Sequence, residues 1–149
     1  MTSRRSPYAG LAGRWLPGGA VDLGPHVAWL WSHCIGEEPV AGEADPTVGW
    51  LLAMRGLGVP LEGLFALVDA DADSGVVLGE AELVLERAPR VGERLRSTVA
   101  IEEVVRKHGA RSGTFDVMRL RIDLHDATDE RVVTLVNRLV FPRGDDRGR

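Results

Sequence analysis

The chain has 149 residues, of which 44% are hydrophobic and 27% charged, a composition typical of one globular domain. A domain of this length buries enough surface to fold without metal or disulfide support, and its one cysteine, Cys34, excludes an internal disulfide framework and a cysteine-based zinc site. The net charge of -4 argues against a nucleic-acid-binding module, and no apolar run approaches the roughly 20 residues of a membrane span. A single thiol without a signal sequence predicts a cytoplasmic protein.

The N-terminal stretch, residues 1–24, is rich in Gly, Pro and Arg and is predicted to form an arm that lies over the domain or is partly disordered. Pro25 is suited to the first turn of a helix, which we expect to end at Gly36. One face of this helix is an apolar stripe at helical spacing, formed by Val27, Leu30, Trp31 and Cys34. The stripe predicts that Cys34 packs in the core.

A second helix is predicted after residues 45–47, where an aspartate followed by a proline forms a typical helix start. Residues 48–54 are apolar on nearly every side, and the helix is expected to end at Arg55. A helix of this kind is normally buried, so we expect a sheet to wrap around it.

From Leu64 onward the hydrophobic period changes to two, which indicates β-strands. Five strands are predicted, at residues 64–69, 76–87, 95–105, 114–125 and 131–141. In the fourth of these, Phe115 and Val117 have the opposite parity to the apolar residues from Met118 onward. That change of parity predicts either a bulge near Met118 or a sheet covered on both faces.

Strands joined by short connections pair antiparallel. Together with the buried helix they predict an α+β fold, in which an antiparallel sheet of about five strands curls around a central helix, with an additional N-terminal helix. This is the hot-dog architecture. We expect it as one domain over residues 25–143, followed by a polar tail at residues 144–149.

Several stretches then resemble a known superfamily in their order and spacing. They are residues 44–48, residues 77–83, the Pro-x-x-Gly-Glu turn within residues 87–93, residues 101–109 and the Ser112-Gly113 turn. The chain resembles the MaoC-like hydratase/dehydratase superfamily over about residues 27–143. Within it, the chain is most similar to the fatty-acid-synthase-dehydratase-like N-terminal type.

The resemblance implies reversible addition of water across the α,β bond of an acyl thioester carried on coenzyme A or an acyl carrier protein. Such chemistry needs an acid or base and hydrogen-bond donors for the thioester oxygen. The start of the central helix, Thr47, Val48 and Gly49, would supply those donors and bind substrate; the alternative is an ordinary capped helix. Trp29 and Trp31 cannot both face one core, so one should contact a partner or an acyl chain, and Trp31 is assigned to the substrate.

The acid–base residues depart from the superfamily pattern. Active members carry Gly-Asp-x-Asn-Pro-x-His just after the first helix, whereas residues 36–41 here have Glu37 in place of Asp and lack both the Asn and the His. His33 and Glu37, four residues apart, are the candidate catalytic pair. The alternative is a solvated histidine at a helix end beside a carboxylate. Catalysis by this chain alone is therefore in question.

Degenerate copies of this type commonly pair with a competent hot-dog domain, and hot-dog domains dimerise edge to edge. An exposed sheet edge also has to be covered. We expect a homodimer, or a heterodimer with a catalytically competent hot-dog subunit, and no nucleic-acid or membrane partner. Glu80, Glu82 and Glu86 share one face of a predicted strand, and we interpret them as a solvated outer face.

The first hypothesis is a hot-dog subunit of an enoyl-thioester hydratase or (3R)-hydroxyacyl-thioester dehydratase in fatty-acid or polyketide metabolism, with no cofactor or metal. Whether the chain is itself an enzyme stays open. One alternative is a non-catalytic scaffold or acyl-binding subunit. Another is a hot-dog acyl thioesterase, which would need a carboxylate on the central helix to activate water. Asp45 lies at the start of that helix and not within it, so the thioesterase ranks last.

Overall fold

The computed structural model describes residues 2–144, and of the predicted polar tail only Gly144 lies inside that range. One antiparallel sheet of seven strands dominates the fold. Its strands are β1 (Thr2–Arg5), β2 (Arg14–Leu16), β3 (Ala20–Asp22), β4 (Val77–Leu85), β5 (Arg94–Gly109), β6 (Gly113–His125) and β7 (Arg131–Pro142). The order across the sheet is β1-β5-β6-β7-β4, with β2 and β3 also paired to β5.

The seven strands occupy five positions because β1, β2 and β3 follow one another along the same edge of β5. The predicted N-terminal arm therefore contributes strands to the sheet, and it buries Val21 and Leu23 in the core. Strands of three or four residues between glycines and prolines carry too little periodicity to be recognised in a sequence.

Three helices accompany the sheet: α1 (Pro25–Cys34), α2 (Val48–Arg55) and α3 (Leu61–Ala66). The predicted α+β hot-dog fold, with a sheet of about five strands, a central helix and an additional N-terminal helix, is confirmed. Among residues 2–144, no helix combines the length and the apolar character needed to cross a bilayer.

The predicted strand at residues 64–69 is wrong. Residues 61–66 form α3, which buries Leu64 and is followed by a turn that buries Val68. Leu64 and Val68 are four residues apart, so the same apolar run also satisfies helical spacing, and a short run of this kind does not distinguish the two structures. The four other predicted strands correspond to β4, β5, β6 and β7.

Helix α2 packs on one face of the sheet, here called the inner face. Val48, Leu52 and Ala53 are completely buried, as expected for the central helix. Gly49 allows the close approach: a Cβ at this position would lie 3.0 Å from Leu85 Cδ2 and 3.1 Å from Val133 Cγ2.

Helix α1 is rotated relative to the predicted stripe. It buries Ala28 and Ser32, while Cys34 is exposed, so the prediction that Cys34 packs in the core is wrong. Small side chains on the buried face let the helix backbone approach its neighbours. With that face turned inward, Leu30 is 42% exposed.

The bulge predicted near Met118 is not in β6, which is regular around Met118. The register shifts in β5, between Ile101 and Glu103, opposite that part of β6. Val117 points to the outer face and is nevertheless only 9% exposed, which agrees with the alternative of a sheet covered on both faces at this point.

Candidate functional site

The turn before α2 brings together residues of two helices. The Asp45 carboxylate accepts hydrogen bonds from the Thr47 backbone N–H, at 2.8 Å, and from the Thr47 hydroxyl. The Trp31 indole N–H of α1 donates to Thr47 Oγ1 at 3.0 Å. The predicted substrate-binding residues Trp31 and Thr47 are therefore in direct contact.

Trp31 also stacks on Trp50 of α2, with ring centroids 6.5 Å apart and planes inclined by 23°. The ring thus joins α1 to the first turn of α2 through one hydrogen bond and one stacked contact. The sequence gives no signal for the Trp50 contact, because the two tryptophans lie on different helices.

The backbone donors at the start of α2 are already used inside the chain. The N–H of Val48 donates to the Asp45 carbonyl at 3.0 Å, and the N–H of Gly49 donates to the Pro46 carbonyl at 3.1 Å. The Thr47 N–H is bonded to the Asp45 side chain. In this arrangement none of the three predicted donors points a free N–H at a ligand.

The charge at this turn also disfavours an anionic ligand. A helix N-terminus favours a negative group, and here that group is the carboxylate of Asp45 itself. An anionic thioester oxygen approaching the same turn would meet a negative charge and occupied donors. The α2 start is therefore closed by a residue of the chain.

His33 lies in α1, whereas Glu37 follows the end of that helix. His33 is exposed and makes an edge contact with Trp29, whose ring centroid lies 4.2 Å away. Helix α1 ends at Cys34, and Gly36 at φ +78° turns the chain, so the helical spacing does not extend to Glu37. Within residues 2–144, no hydrogen bond or ion pair joins the two side chains.

Two adjoining clefts flank the loop at residues 36–46. One, of about 490 Å³, is lined mainly by apolar groups that include Trp29, Val40 and Val91. The other, of about 590 Å³, is lined by the loop and by residues 87–91. The two clefts, together called the trough, adjoin at Gly42, Glu43 and Val91, and each has the volume of a small-molecule site.

The Pro-x-x-Gly-Glu turn, residues 89–93, forms one wall of this trough. The Glu93 carboxylate accepts a hydrogen bond from Arg87 Nη1 at 3.0 Å and from the Arg90 backbone N–H at 2.9 Å. Arg87 outweighs the effect of burial and lowers the pKa of Glu93 below its usual range. Gly92, at φ +86°, supplies the left-handed backbone that closes the turn.

A buried ionic cluster at the far end of the sheet was not foreseen. Asp116 is inaccessible and accepts hydrogen bonds from Ser6 Oγ at 2.9 Å, Arg106 Nη2 at 2.8 Å and Arg143 Nε at 2.7 Å. Burial opposes the charge, but the hydrogen bonds from Arg106, Ser6 and Arg143 prevail and lower the pKa of Asp116. The one available signal was an acidic residue at an inward position of β6. The part of the chain that the structure describes contains no group of three or more metal-ligating side chains.

No family model matches the sequence, and no curated protein matches it significantly. The fold, in contrast, has many relatives among solved structures. The ChsH1-ChsH2 complex from Mycobacterium tuberculosis is 19% identical with a TM-score of 0.66, and the match covers 93% of this chain and 90% of that one. The C-terminally truncated HadBC (3R-hydroxyacyl-ACP dehydratase) complex from the same organism is 16% identical with a TM-score of 0.64, covering 87% of this chain and 96% of that one.

A third relative, a Mycobacterium tuberculosis protein described as having a double hot-dog fold, is 15% identical with a TM-score of 0.59. The match covers 97% of this chain and 46% of that one, so this chain corresponds to about one half of the double fold. At these identities the likenesses show the fold: the chain has the hot-dog fold.

Proposed function

We propose that this chain is a hot-dog subunit of an enoyl-thioester hydratase or (3R)-hydroxyacyl-thioester dehydratase, and that it acts with a second, catalytic hot-dog subunit. One observation carries the proposal: the chain has the hot-dog framework, but Asp45 occupies the start of α2, and no hydrogen bond or ion pair joins His33 and Glu37 within residues 2–144. Two solved structures of similar fold are complexes, and one of them is named as a (3R)-hydroxyacyl-ACP dehydratase.

In hydration, a base takes a proton from water while the water oxygen bonds to the β-carbon. The electrons of the double bond move towards the thioester oxygen, and an acid returns a proton to the α-carbon. The partner subunit would supply the acid and base. This chain would supply an apolar wall for the acyl group, with Trp29, Val40 and Val91 in the trough. The acyl group would be carried on coenzyme A or a carrier protein, and no cofactor is required.

The scaffold alternative is favoured by the closed turn at Asp45, since a subunit that only stabilises its partner needs no open donors. A thioesterase is the least supported candidate. It would need a carboxylate on the central helix, and residues Val48–Arg55 include none.

The test is hydration of crotonyl-CoA by the chain alone and by the chain co-purified with a hot-dog protein that carries the Asp and His pattern. We expect no turnover by the chain alone and turnover by the complex, unchanged by Glu37→Gln or His33→Gln in this chain. Turnover by the chain alone that Glu37→Gln abolishes would refute the partner dependence. Full activity of the partner without this chain would favour the scaffold, and release of free thiol would favour the thioesterase.

A further inference from the structure

A separate cavity lies on the outer face of the sheet, the face opposite α2. Its volume is about 400 Å³, and its walls include Trp15 of β2, Ala100 and Glu102 of β5, and Arg121 and Asp123 of β6. The cavity shares no lining residue with the trough, so it is not part of the site described above. Its volume is that of a small-molecule site.

Trp15 gives the cavity an aromatic wall. It lies on β2 directly opposite Ala100 of β5 and is 70% exposed, the largest exposed fraction among the large apolar residues of the described chain. The alanine is too small to cover the indole, so most of the ring is left open. Among aromatic side chains, tryptophan attracts a cation over its ring face most strongly. The wall therefore favours a ligand that combines an apolar body with a positive charge.

A bulge in β5 places Glu102 in the same cavity. The register of β5 with β6 shifts between Ile101 and Glu103, and Glu102 between them has no residue opposite it. An extra residue of this kind redirects a side chain, and such bulges are common beside functional sites. The bulge thus turns a carboxylate towards the space beside Trp15.

The Glu102 carboxylate accepts no side-chain hydrogen bond from residues 2–144. Its buried Oε2 lies 3.0 Å from Arg119 Nε without forming a hydrogen bond, and its Oε1 lies 3.6 Å from Arg121 Nη1, which is too far for one. Asp123, in contrast, accepts hydrogen bonds from Arg121 and Thr134. Polar groups that are largely buried normally have partners, so Glu102 is the acceptor to which a ligand would donate.

We propose that this cavity binds a small organic cation, with an apolar body and one ammonium or guanidinium group. The charged group would lie over the Trp15 ring and donate an N–H to Glu102 Oε1, while the body would rest on Gly13 and Ala100. An anionic ligand would meet two carboxylates, those of Glu102 and Asp123, against the one guanidinium of the cavity wall. The proposal does not depend on the proposed function.

The test compares three ligands of similar shape: 2-phenylethylammonium, the neutral 2-phenylethanol and the anion phenylacetate. Two-dimensional ¹H–¹⁵N NMR spectra resolve the indole N–H signals of the four tryptophans, and the signal lost in Trp15→Phe identifies Trp15. Trp29, which is 50% exposed on α1, is the internal control in the same spectra.

We expect 2-phenylethylammonium to shift the Trp15 signal with a dissociation constant at least about fivefold lower than that of 2-phenylethanol, as one cation–π contact at an exposed ring provides. Phenylacetate should leave the Trp15 signal unchanged, and none of the three should shift Trp29 alone. In calorimetry, Trp15→Ala should abolish binding of the cation.

Glu102→Gln keeps the size of the side chain but removes its charge, so we expect it to abolish the preference for the cation over the alcohol. Glu82→Gln, on β4 and outside the cavity, is the matched control and should keep that preference. Circular dichroism checks that each variant keeps the fold. Equal binding of cation and alcohol by wild type, no shift of Trp15 by the cation, or an unchanged preference in Glu102→Gln would overturn the proposal.

Discussion

The substitution Asp116→Asn tests the buried cluster that ties the two ends of the described chain to the sheet. Asp116 holds Ser6 before the first helix, Arg106 on β5 and Arg143 after β7. The asparagine amide has the same size as the aspartate carboxylate, but it carries no charge, and one acceptor oxygen becomes an NH₂ donor that faces a guanidinium.

Removing one partner from a buried ion pair costs about 3–5 kcal/mol. The side chains of Arg106 and Arg143 are 28% and 15% exposed, so water can partly compensate them. We therefore expect the free energy of unfolding to fall by about 3 kcal/mol, near the low end of that range. Urea unfolding measures this loss, with an unchanged m-value showing that the native and denatured states keep their compactness.

The loss of stability in Asp116→Asn should depend on pH, and the pKa of Asp116 determines its direction. The pKa of Asp116 is lower in the folded state than in the unfolded chain, where it is about 3.9. Its stabilising contribution is therefore complete above that value and is lost as the pH falls through the folded-state pKa. The difference in free energy of unfolding between wild type and Asp116→Asn should be largest at neutral pH and should decrease below about pH 4.

Asp123→Asn on the outer face of β6 is the matched control. Asp123 bonds Arg121 at 2.8 Å, but Arg121 keeps a second carboxylate, Glu102, at 3.6 Å. We expect Asp123→Asn to lower the free energy of unfolding by about 1 kcal/mol. If Asp116→Asn costs no more than this control, or if its cost does not change with pH, the account of the buried cluster is wrong.

Three further substitutions test close packing and a buried hydroxyl. Gly49→Ala should lower the free energy of unfolding by about 1 kcal/mol, because its Cβ would lie 3.0 Å from Leu85 Cδ2 and the cost of overpacking exceeds the gain in helix propensity. Gly63→Ala, in the open part of α3, should raise the free energy of unfolding by up to about 1 kcal/mol. Denaturant unfolding that ranks the two variants in the opposite order would contradict this account of the packing. Ser97→Ala should lower the free energy of unfolding by about 1–2 kcal/mol, because the buried hydroxyl accepts a hydrogen bond from the Gly19 N–H at 2.7 Å and donates one to the Gly56 carbonyl at 2.5 Å. An unchanged melting temperature would show that water replaces the hydroxyl.

Much of the fold could be predicted because its main signals are local. The alternation of period two along residues 118–125 reflects which side chains face the core, and residues 94–102 show the same pattern. The strand at residues 131–142 is recognised by its continuous apolar character instead, since residues 132–137 are all buried. The apolar run at residues 48–54 similarly indicates a helix enclosed by the sheet. The prediction of a strand at residues 64–69 was wrong, since a short apolar segment satisfies helical and strand spacing equally.

The candidate site was less accessible to sequence reasoning because its chemistry depends on turns. The spacing of His33 and Glu37 suggests a pair only if α1 continues past Cys34, whereas the helix ends there and a turn at Gly36 follows. The donors at Thr47, Val48 and Gly49 were expected from the position of the helix start. Their use by Asp45 and Pro46 depends on the backbone path of one turn, which no residue pattern specifies.

The amino-acid sequence by itself determined the α+β class, the central helix and the four long strands, since each follows from residue type and local spacing. Only the tertiary structure decided which groups meet. It placed Trp31 on Thr47, buried Asp116 between two arginines and left β4 at one edge of the sheet. These contacts join residues far apart in the chain, so they depend on strand order and helix rotation, which a local pattern does not encode.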